Sequence, residues 1–123
     1  MKRFMWILGV VAVALCARTS FAADVNAGKA MFSRCVACHT VQKGAPNGVG
    51  PNLFAVAGRK AASKPDFSYS TALKSSRIVW SNQKLDAWIA NPPKMVPGTR
   101  MAFAGIPDPK RRADLIAYLN TLK

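Results

Sequence analysis

The run Cys35-Val36-Ala37-Cys38-His39 constrains this chain more than any other stretch of its 123 residues. Two thiols stand three positions apart, and the only imidazole of the chain follows the second directly. The third cysteine, Cys16, lies in an apolar stretch far upstream. A single histidine excludes a two-histidine metal site within one chain. The acids narrow the field further. All five are Asp (Asp24, Asp66, Asp86, Asp108 and Asp114), scattered and without a single Glu. That pattern argues against a calcium loop and against a paired-carboxylate hydrolase. No G-x-x-x-x-G-K-[ST] run occurs, so there is no phosphate-binding loop of that type.

Four chemistries use two cysteines at this spacing. A redox-active C-x-x-C of the thioredoxin kind needs a βαβ setting, and no strand-like alternation of useful length is present. A zinc site needs four ligands, and Cys35, Cys38 and His39 supply three. A structural disulfide between residues so close constrains little and leaves His39 without a task. The fourth reading uses every member: C-x-x-C-H is the attachment sequence for c-type haem. Each thiol adds to one porphyrin vinyl group, and the next residue sets an imidazole under the iron. One covalently bound haem c is therefore expected.

The amino-terminal segment reads as an address. Met1-Lys2-Arg3 is positively charged, and Phe4 to Ala17 is an uncharged, largely apolar run of 14 residues. That is short of the about 20 that span a membrane and within the roughly 7–15 of an export leader. Ser20-Phe21-Ala22 places small residues at −3 and −1, so residues 1–22 are expected to be cleaved and 23–123 to form one domain. Removing Lys2, Arg3 and Arg18 leaves 15 basic against 5 acidic side chains, a net charge of about +10. The expected compartment is the periplasm, an oxidising space.

Within 23–123 the expected class is all-α, with three main helices and long loops. Asp24 caps a first helix whose Val25, Gly28, Phe32 and Cys35 share one face. Gly28 costs about 1 kcal/mol against Ala there, which close approach of another helix would explain. From Thr40 to Ser68 no period survives, and Gly and Pro punctuate the stretch; a loop this long is usually wrapped around something. Tyr69 to Ser75 is expected as a short helical turn. Ser81 caps a second helix with stripe Leu85, Trp88 and Ile89, stopped at Asn91-Pro92-Pro93 and followed by a loop from Lys94 to Met101. Asp108 caps the last helix, with Pro109 first and Leu115, Tyr118, Leu119 and Leu122 as its stripe.

The iron needs a sixth ligand or an open site, and with no second histidine the candidates in 23–123 are methionines. Met31 lies on the helix that leads to His39, on the wrong side. Met95 and Met101 both sit in the second loop, outside any helical stripe. Met101 follows the turn Pro97-Gly98-Thr99-Arg100, which favours it without excluding Met95.

Taken together, these motifs resemble the class I cytochromes c, specifically mitochondrial-like soluble bacterial electron carriers. The resemblance runs over essentially all of 23–123: Gly28 and Phe32, the C-x-x-C-H run, Gly50-Pro51-Asn52-Leu53, Gly58-Arg59, Phe67-Ser68-Tyr69, Trp80, Asn91-Pro92, Pro97 to Met101, Phe103-Ala104-Gly105 and Asp114 to Leu119. It implies the cytochrome c fold around one haem, with Cys35 and Cys38 as its covalent anchors and His39 and Met101 as its axial ligands. It also implies that the Pro51 carbonyl orients the imidazole and that Arg59, Tyr69, Ser70 and Trp80 hold the buried propionate. Thr99 stands beside that group, Phe103 covers the methionine-side haem edge, and Gly28 and Phe32 pack on Leu115 and Tyr118. Three features depart from the pattern. Trp88 stands where relatives often carry Tyr, and Leu73 replaces a frequent Asn. Pro46, Gly48, Pro107 and Asp108 occupy places where relatives carry a ring of lysines.

The implied role is a one-electron shuttle, not an enzyme, between a membrane donor complex of the cytochrome bc type and an oxidase, reaction centre or reductase. Its expected partners are membrane electron-transfer complexes with acidic docking surfaces. The protein is expected to be a monomer, with no nucleic acid and no small-molecule substrate. Arg34, Lys94 and Arg100 are expected around the exposed haem edge, and Lys60 and Lys123 away from it. Lys110, Arg111 and Arg112 lie at the positive end of the last helix, where cations are disfavoured. They are read either as a surface device or, for Arg112, as a structural partner of an Asp or a carbonyl. A peroxidase or gas-binding rival would need a distal acid–base group, and His39 is already committed.

Overall fold

A computed structural model describes residues 22–123; the leader expected over 1–22 lies outside the described residues except for Ala22. The order is α1 (Val25–Met31), a 3₁₀ turn (Phe32–Arg34), α2 (Thr71–Ser75), α3 (Asn82–Ala90), α4 (Pro92–Met95) and α5 (Pro109–Leu119). Among the described residues there is no strand, only an isolated antiparallel bridge between Lys60 and Val79. The class is all-α, with α1, α3 and α5 as the expected frame.

Each start has a chemical cause. The Asp24 carboxylate accepts from the N–H groups of Asn26 and Ala27, and the Ser81 hydroxyl accepts from Lys84 N–H. Asp108 accepts from Lys110 N–H, with Pro109 occupying a position whose N–H would have no helical partner. The core is built from one stripe of each element: Phe32, then Leu85, Trp88 and Ile89, then Leu115, Ile116 and Leu119. Phe32 meets Tyr118 with ring centroids 5.4 Å apart. Gly28 is buried because α1 crosses α5 there; a β-carbon on it would overlap the Asp114 carbonyl. The helix-packing contact offsets the propensity cost of that glycine.

One expectation is corrected. Asn91-Pro92-Pro93 ends α3 but also starts α4. Asn91 is extended (φ −167°, ψ 93°), as a residue before proline must be, and its Oδ1 accepts from Lys94 N–H at 3.3 Å. Two prolines in a first turn lose no hydrogen bond, since first-turn N–H groups have no acceptor inside the helix. The long stretch Thr40–Ser68 forms turns and bends, as expected.

Candidate haem site

The 3₁₀ turn, α3, α5 and the two loops surround a cavity of about 490 Å³, within the range of cofactor sites. Cys35, Cys38 and His39 line one side, presented by the turn that follows the 3₁₀ segment. His39 Nδ1 donates to the Pro51 carbonyl at 2.7 Å, which leaves Nε2 bare and aims the ring. Burial pushes the His39 pKa below its ordinary value, the Pro51 hydrogen bond opposing it; the imidazole is thereby held neutral, the form that ligates. Burial chiefly, with help from Cys38, pushes the Cys35 thiol up against the pull of Arg34. Both thiols are free.

Met101 lines the same cavity as His39, together with Thr99 and Phe103. Its loop is pinned by Thr99, whose hydroxyl accepts from Met101 N–H at 3.4 Å, and by Arg100, which donates to the Ser68 carbonyl at 2.7 Å. Met95 lines a separate, shallow hollow with Val96, Pro97 and Lys84. Loop sequence alone leaves the two methionines competing; the fold sends them into different cavities.

The polar wall gathers Arg59, Tyr69, Ser70 and Trp80 around the same cavity. Arg59 donates to the carbonyls of Phe54 (2.9 Å) and Asn52 (3.4 Å), but its buried Nε has no acceptor among the described residues. The Tyr69 hydroxyl accepts from Lys64 N–H and that of Ser70 accepts from Leu73 N–H, so both retain a proton to donate. A charged donor stranded at a buried wall is costly unless an anion meets it. Two free thiols, a bare imidazole nitrogen, a thioether and a stranded guanidinium nitrogen suit an iron porphyrin bearing carboxylates.

Some contributors belong to a matched motif, but the sequence reading gives them no role. Asn52 is 2% exposed and satisfies every polar group it has. Its amide donates to Gln42 and Ala45 carbonyls, its Oδ1 accepts from Phe54 N–H, and its own N–H reaches Asn47 Oδ1. That set of bonds holds the loop that carries Pro51. Gly50 matters for closeness: a β-carbon there would overlap the His39 ring. Trp88 and Leu73, the two departures, both face the cavity, and Trp88 tilts against Trp80 at 5.3 Å. Of the basic residues expected around the haem edge, Arg34 and Arg100 line the cavity and Lys94 does not; Lys60, expected elsewhere, lines it too.

Helices and long loops around a mostly apolar cavity that carries a C-x-x-C-H turn define a covalent haem protein. The Cytochrome c family model matches residues 25–123, and the chain belongs to that family. It is 50% identical over 101 residues to cytochrome c2 of Rhodopila globiformis, covering 81% of this chain and 94% of that protein. It is 48% identical over 101 residues to cytochrome c of Euglena viridis, covering 81% and 98%. A cytochrome c homolog of Bradyrhizobium diazoefficiens is also 48% identical over 101 residues, which is 81% of this chain and 55% of that longer protein. The structure of cytochrome cH from Methylobacterium extorquens superposes with TM-score 0.76 at 46% identity, over 80% of this chain and 99% of that one. The cofactor is haem c, attached through the Cys35–Cys38 pair, and the family role is electron transport.

Proposed function

We propose that the protein is a monomeric, soluble periplasmic carrier of one electron at a time between a membrane donor complex of the cytochrome bc type and a terminal oxidase, reaction centre or reductase. The observation that carries the reading is the convergence of His39 and Met101 on one cavity while Met95 lines another. When bound, haem supplies an iron that alternates between the ferric and ferrous states. The residues supply the rest. His39, oriented by Pro51, and Met101, held by Thr99, would hold the iron between them and leave no place on it for a substrate, which favours a carrier over an enzyme. Arg59, Tyr69, Ser70 and Trp80 would hold a haem carboxylate by hydrogen bonds, and Phe103 would cover the haem on the methionine side. Apolar walls exclude water and favour the less charged ferrous state.

The test compares two methionines. Met101→Ala should open the iron to added cyanide or carbon monoxide within seconds and lower the reduction potential, while Met95→Ala should do neither. The mature protein should also carry one haem that acid–acetone does not extract. The reverse methionine pattern would remove Met101 from the ligand set.

A further inference from the structure

We infer that Asn47–Gly48 is a self-modifying site: the closed fold protects the pair, and a chain left open without haem converts Asn47 irreversibly to isoaspartate. The inference uses the haem reading only for what closes the chain. The step needs no enzyme and no oxidant. The Gly48 amide nitrogen attacks Asn47 Cγ, a C–N bond forms, the Cγ–Nδ2 bond breaks, and the Gly48 proton leaves with the amide nitrogen as ammonia. Water then opens the five-membered imide. Opening at the main-chain carbonyl routes the backbone through the side chain, one methylene longer, and leaves a free carboxylate.

Asn47 is the only one of the six asparagines followed by Gly, whose amide carries no β-carbon to hinder the attack. The fold demands that glycine: a β-carbon on Gly48 would stand 2.8 Å from the Cys38 carbonyl oxygen. Close approach to the attachment turn therefore creates the reactive pair. The folded protein holds each reacting group. Gly48 N–H donates to the Gly50 carbonyl at 3.0 Å. Asn47 Oδ1 accepts from Asn52 N–H at 2.8 Å, and Nδ2 donates to the Asp66 carbonyl at 3.3 Å. The Asn47 amide also holds the Asp66 carboxyl below its ordinary value. Turning the amide onto Gly48 breaks this set, so conversion tracks the population of the locally open form. Loss of several hydrogen bonds together makes the closed protein slower to convert by about tenfold or more. The product is damaged where it matters. Asn47 braces the loop of Pro51 against the segment that leads to Tyr69, and isoaspartate removes the donor and shifts the backbone. Pro51 then no longer sets His39, and the converted chain closes less firmly.

The test measures isoaspartate at Asn47 by peptide mapping and enzymatic methylation, with Asn120, followed by Thr, as reference in each sample. Three samples are incubated: haem-loaded protein in buffer, the same protein in unfolding guanidinium, and the full Cys35→Ala/Cys38→Ala chain, which carries no haem. The last two should convert at similar rates, and the first about tenfold or more slower. Equal rates in all three would overturn the inference, as would slow conversion of either open form. Haem-loaded protein converted in guanidinium and returned to buffer should then unfold at a lower guanidinium concentration than protein returned before conversion. Equal midpoints would overturn the claimed damage. Acid–acetone extraction of the starting protein tests the haem reading separately, and the contrast between buffer and guanidinium stands or falls without it.

Discussion

His39 performs its task because three unremarkable neighbours leave it no freedom. Pro51 takes its Nδ1 proton, Asn52 staples the loop that carries Pro51, and Gly50 lets that loop lie against the ring. Gly50→Ala inserts a methyl where the imidazole sits. Overpacking of this kind costs about 1–3 kcal/mol, and the holoprotein should melt correspondingly lower. Val49→Ala, one residue away at a site 81% exposed, should stay within about 0.5 kcal/mol of the parent. Thermal unfolding followed at the haem band measures both, and equal shifts would mean that Gly50 is not a contact-limited position. At this scale the thiols and imidazole were legible, because five consecutive residues carry the whole chemistry. Gly50 and Asn52 were not legible as working parts. Their value comes from what lies against them, and that neighbour is eleven residues away for Gly50.

The three cations at the start of α5 show how elements are joined. Arg112 sends Nε to Asp86 on α3 at 2.7 Å and Nη1 to the carbonyls of Ile106 and Pro107 at 2.9 Å each. It is a cross-element tie, and its partners outweigh the unfavourable helix dipole. Arg111 meets Asp108 only at 3.8 Å, with both side chains more than half exposed. Arg112→Ala should therefore cost about 1–3 kcal/mol, since it strands an acid and two carbonyls, while Arg111→Ala should change stability by less than about 0.5 kcal/mol. Urea denaturation of the two variants decides; similar losses would refute the assignment.

Lys110 belongs to the α1–α5 joint. The Asp24 N–H and then the Lys110 ammonium hold the Asp114 carboxyl below the usual carboxylate range. A carboxyl depressed in the folded state stabilises the fold when ionised. Its contribution is complete above the unfolded value near about pH 4, and it is lost as pH falls through the lower folded value. The stability gap between the parent and Asp114→Asn should therefore be constant at neutral pH and shrink below about pH 4. A gap that stays constant into acid would show that Asp114 acts by shape alone. Helices α1, α3 and α5 were legible from caps and apolar periods. α4 was hidden because the same Asn-Pro-Pro that ends one helix is permitted in the first turn of the next.

Over the whole molecule the charge is one-sided because every acid is already in use. Asp24 caps α1, and Asp66, Asp86, Asp108 and Asp114 pair with Lys64, Arg112, Arg111 and Lys110. Eleven of the 15 cations of residues 23–123 have no carboxylate partner among the described residues. Arg34, Lys60 and Arg100 line the cavity. A basic mouth raises the encounter rate with an acidic partner and loses that advantage in salt. Charge reversal at Arg34, Lys60 or Arg100 should slow the bimolecular reaction with the terminal acceptor at low ionic strength. Reversal at Lys123 should matter less, and all differences should narrow toward about 0.15 M salt. A rate indifferent to salt, or equally sensitive at all four positions, would mean that the charge serves solubility and not docking.

The sequence by itself determined the cofactor, the helical class and the three principal helices. Attachment chemistry, capping and apolar periodicity are all local, written within a few residues. Tertiary structure decided what depends on two distant segments meeting. It sent Met101 and Met95 to different cavities, brought Lys60 to the cavity wall, and chose Asp86 as the partner of Arg112. No local rule reaches these outcomes, because each is set by how segments far apart in sequence, loops and helices alike, come together. That arrangement is selected by the packing of the whole core around the cavity.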